Sequence, residues 1–203
     1  MDIRNRIIEQ ASQMFTRYGI RSITMDEIAE SLGISKRTLY ESFSNKEELL
    51  KECIEFQYQE NVKIRDGILA ENPNDPLEII HQHFRQLLIF LNNLNPSYLN
   101  DLKKYHSNLF LSHITDKQND NIAFTRLMIH KGIEKGLFRS EADPEIMSVF
   151  IHTVMQIITT EEIFPETRFA RAEVVRQILL NFIRGLATEN GLKQIDEKFN
   201  QNA

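Results

Sequence analysis

Four consecutive polar residues, Ser35 to Thr38, form the most chemically suggestive run in the sequence. Lys36 and Arg37 are donors that suit phosphate oxygens and guanine edges, and Ser35 and Thr38 add hydroxyl groups. Ser35 is also a favourable N-cap, so the run predicts the first turn of a short helix that extends to Ser42. Adjacent charges on a protein surface are usually only solvated. Whether this run contacts a ligand therefore depends on how the neighbouring helices position it.

Those elements have the layout of a helix-turn-helix. Thr24 and Glu27 have the spacing of a capping box, which predicts a helix beginning after Thr24. This helix buries an apolar face and ends at Gly33, which must tolerate a positive φ in the turn. Ala29 must be small, because the second helix crosses it closely. The motif would then present Lys36 and Arg37 to a DNA major groove, which is about 12 Å wide.

Proline and glycine divide the rest of the chain into further amphipathic helices, and no strand pattern competes with them. The sequence therefore predicts an all-α protein of about nine helices. We expect an N-terminal three-helix DNA-binding domain over residues 1–50 and a helical bundle for ligand binding and dimerisation over 51–190. A polar tail is expected over 191–203.

The composition of the chain excludes few classes of function. The net charge is −5, yet residues 1–51 hold eight basic and eight acidic residues, so the acidic excess lies in the remainder. Net charge alone therefore does not indicate nucleic-acid binding. The N-terminus carries no secretory signal pattern, and no apolar run reaches the ~18–20 residues needed to cross a bilayer. The lone Cys53 suits a reducing compartment, so we expect a cytoplasmic protein without membrane contact.

The run from Gly19 to Ala29, the run from Leu32 to Tyr40 and the run from Phe43 to Leu50 together resemble the TetR family of bacterial regulators. The resemblance covers about a quarter of the chain, and it implies DNA-contacting roles for particular positions. It implies phosphate contacts for Thr24 and Met25 and base contacts for Lys36, Arg37 and Thr38, with Ser35 beside them. It also implies backbone contacts for Tyr40 and Lys46. The chain departs from the family at Glu41-Ser42, which leaves the operator sequence open.

Two helices near the C-terminus are apolar over too wide an arc to face only their own core. Pairing across a two-fold axis would bury the excess, and the resemblance implies the same four-helix arrangement. A large monomeric core is the alternative. Seven residues are predicted to form the interface of a homodimer: Phe150, Val154, Ile158, Val175, Leu179, Phe182 and Leu186.

The central helices carry aromatic and aliphatic residues that could line a cavity between them. Such a lining suits a hydrophobic or amphipathic small-molecule effector. His81 and His83 are two residues apart and point in different directions, so no metal and no cofactor are predicted. The predicted lining comprises Phe84, Leu88, Leu91, Tyr98, Leu102, Tyr105, His106, Phe110, Phe124, Met128 and Met155.

These patterns predict a DNA-binding transcriptional regulator, in particular a repressor that binds a palindromic operator as a homodimer and is released by a small effector. A transcriptional activator and a regulator without effector are alternatives, and a helical adaptor that binds protein is a remote one. An enzyme is not expected. The sequence contains no phosphate loop, Gly-x-Ser-x-Gly, CxxC or HExxH motif.

Overall fold

The computed structural model describes residues 2–158, 163–165 and 167–200, with only the backbone of 113–116 and 200. These residues contain no strand, apart from an isolated bridge between Phe138 and Ala187. The all-α prediction is confirmed. The helices in this part of the chain are α1 (Ile3–Tyr18), α2 (Met25–Leu32), α3 (Lys36–Ser42), α4 (Lys46–Glu71), α5 (Pro76–Asn93), α6 (Ser97–Tyr105), α7 (Ser107–Glu134), α8 (Pro144–Ile158), α9 (Arg171–Leu186) and α10 (Glu189–Asn200).

The chain divides into two compact units, and the first comprises Met1–Arg65 and Asn93–Thr115. It holds α1 to α3, most of α4, α6 and the start of α7. Its core is continuous from the N-terminal helices to α6, because Tyr98 and Leu102 of α6 are buried in the same cluster as Phe15, Ile28 and Leu39. The N-terminal motif therefore does not form its core from residues 1–50 alone.

Three smaller apolar clusters lie in the second unit, Asp66–Asn92 and Asp116–Ala203. One contains Leu77 of α5, Ile129 of α7 and Leu180 of α9. Another joins Ile158 of α8 to Val175 of α9. Each described helix of this unit thus buries one face against its neighbours, as amphipathic helices do.

The end of the chain differs from the polar tail expected over 191–203, because residues 189–200 form α10. Ile195 is fully buried in the core of the second unit. Gly191 lies so close to the loop between α7 and α8 that a Cβ there would be 1.9 Å from the carbonyl oxygen of Leu137. The ring of Phe199 packs 4.9 Å from that of His81. Two apolar residues four apart are enough to fix one face of an otherwise polar helix.

None of the helices in the described ranges has the length and apolar character that crossing a bilayer requires. The same residues contain no group of three or more His, Cys, Asp or Glu side chains arranged to hold a metal ion.

Candidate nucleic-acid interface

The turn between α2 and α3 sets the angle of the motif. Gly33 adopts the left-handed conformation with φ +66°, and its amide donates to the carbonyls of Ala29 and Glu30. The amide of Ile34 donates to the carbonyl of Ala29 over 3.0 Å. Ile28 and Leu39 are fully buried on either side of this turn. The predicted helix-turn-helix and its apolar wedge are therefore present.

The first turn of α3 is stabilised by hydroxyl groups. Ser35 is the N-cap, and its Oγ accepts a hydrogen bond of 3.0 Å from the amide of Thr38. The two hydroxyl oxygens of these residues are 2.8 Å apart. Ser35 and Thr38 thus keep the helix end rigid, and Ser35 remains exposed.

The two basic side chains at this end project into solvent. The side chains of Lys36 and Arg37 are 66% and 87% exposed. The ammonium of Lys36 pairs with the carboxylate of Asp26 on α2, and this hydrogen bond raises the pKa of Lys36. The guanidinium Nε of Arg37 donates to Glu41 Oε1 over 2.7 Å, one helical turn later. Both predicted base-reading cations are therefore accessible, and both are paired.

At the start of α2 the predicted capping box is confirmed. The amide and the hydroxyl of Thr24 both donate to Glu27 Oε2, over 2.7 and 2.8 Å. These hydrogen bonds lower the pKa of Glu27. Thr24 therefore has no donor left over for a phosphate unless this box opens. The side chain of Met25 is buried in the core, so only its backbone amide, at the open helix end, can face a ligand.

Tyr40 and Lys46, the two predicted backbone-contacting residues, have different environments. The Tyr40 side chain is half exposed on α3. Lys46 instead turns inward, where its ammonium donates to the carbonyl of Ile23 and lies 5.7 Å from the centre of the Phe15 ring. Burial lowers the pKa of Lys46. This ammonium ties the start of α4 to the loop before α2.

Sequence reasoning missed Arg4, which fixes the far end of α3. Its guanidinium donates to the carbonyl of Ser42 over 2.7 Å, lies 4.2 Å from the centre of the Phe43 ring and is 3.4 Å from the Glu52 carboxylate. It thereby joins α1, the end of α3 and α4. No local pattern indicates these contacts, because Arg4 and Ser42 are 38 residues apart in sequence.

Helix α6 is hydrogen bonded to the end of α1 and to the loop that follows it. The amide of Asn95, just before α6, donates to the carbonyl of Thr16 over 2.7 Å. The buried carboxylate of Asp101 accepts from the amide of Arg21 over 3.3 Å. The Arg21 guanidinium stacks on the ring of Tyr105 at 4.6 Å. These bonds make α6 part of the same compact unit as the helix-turn-helix.

Comparison with known proteins identifies this arrangement. The family profile described as bacterial regulatory proteins, tetR family, matches residues 7–53, which span α1 to the start of α4. The chain belongs to the TetR family. It is a DNA-binding transcriptional regulator.

Two curated relatives match this TetR-family chain beyond the DNA-binding motif. The uncharacterized HTH-type transcriptional regulator YvaF of Bacillus subtilis is 25% identical over 185 residues, which cover 91% of this chain and 95% of the relative. The HTH-type transcriptional repressor KstR2 of Mycobacterium tuberculosis is 28% identical over 158 residues, which cover 73% and 75% of the two chains. Such homologues are transcriptional regulators.

Solved structures share the fold of this TetR-family chain. A TetR-family transcriptional regulator from Marinobacter aquaeolei superposes with a TM-score of 0.73 at 21% identity, covering 99% of this chain and 98% of that one. The ketosteroid transcriptional regulator KstR2 of Mycobacterium tuberculosis gives a TM-score of 0.56 at 22% identity, covering 93% and 96%. The described helices thus follow a known two-part TetR-type architecture.

The predicted effector-lining residues of this regulator are divided between the two units, and several are ordinary core. Tyr98 and Leu102 pack inside the core of the DNA-binding unit, where Tyr98 donates to Gln57 Oε1 over 3.3 Å. Tyr105 is half exposed beneath Arg21. His106 and Phe110 also lie in the first unit. The second unit holds the other six: Phe84, Leu88, Leu91, Phe124, Met128 and Met155.

The predicted interface residues of this regulator also have unequal environments. Ile158, Val175 and Leu186 are at most 3% exposed, because they pack into the apolar clusters of their own chain. These three are therefore core residues and offer no free surface. Val154, Leu179 and Phe182 are partly buried, whereas Phe150 is 53% exposed. Three further apolar residues of α8 are exposed beside it: Ile146, Val149 and Ile157.

Proposed function

We propose that this regulator is a repressor that binds a palindromic operator as a homodimer and is released by a small hydrophobic or amphipathic effector. The observation that carries the proposal is the exposed first turn of α3, where a buried core fixes a rigid helix end bearing Lys36 and Arg37. Such an end fits a major groove, in which guanine offers two acceptors to a basic side chain. The name of the KstR2 relative supports repression.

In this proposal Lys36 and Arg37 read base edges and Tyr40 contacts the sugar–phosphate backbone. Ser35 and Thr38 stabilise the start of α3 and offer their hydroxyl groups to the sugar–phosphate backbone. Met25 contributes its backbone amide at the start of α2, since its side chain is buried. Thr24 contributes its amide and hydroxyl only when Glu27, which accepts from both, releases them. Lys46, whose ammonium turns inward, attracts the DNA phosphates through its positive charge and makes no direct contact with them.

The operator must have two-fold symmetry in this proposal, because one seven-residue helix spans few base pairs. Two copies of α3 would occupy successive turns of the major groove, about 34–36 Å apart. The exposed apolar face of α8 supplies the contact between copies, since residues spaced like Ile146, Phe150 and Ile157 lie on one side of a helix. In this proposal the protein acts in the bacterial cytoplasm, where its operator lies.

Release by an effector requires that the effector bind the DNA-incompetent state more tightly. Residues of the second unit would bind it, with the mostly apolar side chains Leu88, Leu91 and Met155 favouring a hydrophobic molecule. Helix α6 follows the first segment of that unit in the chain. Asn95, just before α6, is hydrogen bonded to α1, and Asp101 of α6 is hydrogen bonded to the loop after α1. A displacement of α6 would therefore be transmitted to the DNA-binding unit, and with it to the spacing of the two α3 helices.

A binding measurement with the double variant Lys36→Ala/Arg37→Ala tests the base-reading role. The operator is first selected from random duplexes by repeated binding to the wild-type protein. We expect the double variant to lose at least about 30-fold in operator affinity, because each of the two base contacts contributes roughly 1–3 kcal/mol of discrimination. Arg6→Ala/Lys51→Ala is the matched control, since it removes two exposed positive charges from the same unit. Equal losses in the two double variants would contradict the proposal.

A further inference from the structure

Taken together, the two helices of the DNA-reading motif carry more carboxylates than basic side chains, four against two. Helix α2 carries three carboxylates and no basic residue, and α3 carries one carboxylate against Lys36 and Arg37. Phosphate attraction supplies most of the affinity of a protein for non-specific DNA, and it depends on unpaired cations at the surface. The motif therefore opposes such binding, although its α3 end is shaped to enter a groove.

The two carboxylates nearest the predicted base readers are paired with them. Asp26 binds the ammonium of Lys36, and Glu41 Oε1 accepts from Arg37 Nε over 2.7 Å. Both pairs are exposed, with the carboxylate side chains 51% and 60% accessible. Exposed pairs of this kind are weak, so a strong competing acceptor can displace them.

Glu41 also restrains the guanidinium that it binds. It engages only the Nε of Arg37, and no other part of the described structure binds the two Nη groups. Those Nη groups form the fork that can donate to O6 and N7 of one guanine. Glu41 thus holds Arg37 in a conformation that leaves its fork free at the exposed helix end.

We infer that Asp26 and Glu41 are specificity-determining residues, which keep Lys36 and Arg37 from non-operator DNA and release or orient them at the operator. The inference rests on the proposed function, in which these two cations reach the bases. On non-operator DNA no guanine edge is held opposite these side chains, so phosphates are the main competitors of the carboxylates, and each retained carboxylate repels the backbone. At the operator the guanine edges supply fixed acceptors, so the cations gain contacts that exceed the weak internal pairs.

The test measures the affinity of each variant for the selected operator and for a scrambled duplex over a range of salt concentrations. Glu41→Gln keeps an acceptor for Arg37 Nε but removes the charge. We expect Glu41→Gln to bind the scrambled duplex roughly 3- to 10-fold more tightly and to steepen the salt slope by about 0.9, because one further phosphate is neutralised. Operator affinity should rise less, so that the ratio of operator to scrambled affinity falls. Asp26→Asn should act in the same direction.

Two further variants separate the possible causes. Glu30→Gln removes an exposed charge of α2 whose side chain binds nothing in the described structure, so it controls for net charge. Glu41→Ala removes both the charge and the restraint, and it should tighten scrambled binding while weakening operator binding. If Glu41→Gln leaves the ratio unchanged, raises it or merely matches Glu30→Gln, the inference is overturned. Failure of Lys36→Ala/Arg37→Ala to weaken operator binding would instead overturn the proposed function.

Discussion

At the scale of single residues, Arg4 makes more long-range contacts than its position near the N-terminus suggests. It binds the terminal carbonyl of α3, the ring of Phe43 and the carboxylate of Glu52. Helix α3 has only seven residues, so its orientation depends on contacts at both ends. Ser35 provides them at the first end, and Arg4 provides them at the second.

We predict that Arg4→Ala lowers the free energy of unfolding by about 1–2 kcal/mol, since a charge-assisted hydrogen bond is lost and the Ser42 carbonyl loses its donor. The side chain is 38% exposed, which keeps the loss below that of a fully buried ion pair. Urea denaturation followed by circular dichroism measures it. Arg6→Ala is the control: Arg6 is exposed on the same helix, and the change should stay within about 0.5 kcal/mol. Equal losses would show that Arg4 contributes only charge.

Residue types predicted the N-cap and the exposed cations of α3 but not the direction of every side chain. Ser35, Lys36 and Arg37 stand at an exposed helix end, as the N-cap and the amphipathic pattern predicted. Lys46 and Met25 turn inward, because the fold places Ile23, Phe15 and the rest of the core beside them. The pairing of Arg37 with Glu41 could have been found from its spacing of four residues.

At the scale of elements, α10 shows how one close approach positions a whole helix. Gly191 packs against the backbone of Leu137 at a distance that no Cβ could occupy. The hydroxyl of Thr188 accepts from the amide of Gly191 over 3.0 Å and donates to the carbonyl of Gly136 over 2.8 Å. The helix is further held by the pairing of Arg184 with Asp196 over 2.6 Å.

We predict that Gly191→Ala displaces α10 and destabilises the protein by about 2–4 kcal/mol, because the added Cβ would overlap a backbone carbonyl that cannot move aside cheaply. Thermal denaturation and limited proteolysis near residue 190 measure the effect. Gly67→Ala is the matched control, since a Cβ at Gly67 meets nothing within 4 Å and alanine favours a helix by up to about 1 kcal/mol. If the Gly191→Ala variant is as stable as the wild type and α10 resists proteolysis, the contact between Gly191 and Leu137 is looser than the distance indicates.

At the scale of the whole molecule, the proposed dimer depends on the outward face of α8. Ile146, Val149, Phe150 and Ile157 recur at helical spacing and are all exposed in the single chain. The ring of Phe150 lies 6.1 Å from that of Phe182 on α9, so the apolar surface continues onto the next helix. Contiguous apolar surface of this kind is typical of a protein interface.

We predict that Phe150→Glu converts the proposed dimer to a monomer with unchanged helix content, because a carboxylate would be buried without a partner in the interface. Sedimentation velocity and circular dichroism measure the two properties. Leu111→Glu is the control, since Leu111 is an exposed apolar residue of α7 in the first unit. Operator affinity should fall steeply in Phe150→Glu, and a variant that stays dimeric would place the interface elsewhere.

The sequence alone determined the features that depend on neighbours along the chain: the helical class, the capping box at Thr24, the turn at Gly33 and the exposed cations of α3. Caps, turns and helical periodicity act over three or four residues, so their residue types are sufficient evidence. Only the tertiary structure decided that α6 packs with the DNA-binding helices and that the last residues form α10. It also decided that Ile158, Val175 and Leu186 are core while Phe150 remains outside. Burial depends on which helix packs against a given face. An apolar stripe has the same sequence pattern whether that helix belongs to the same chain or to another, so the sequence cannot distinguish the two cases.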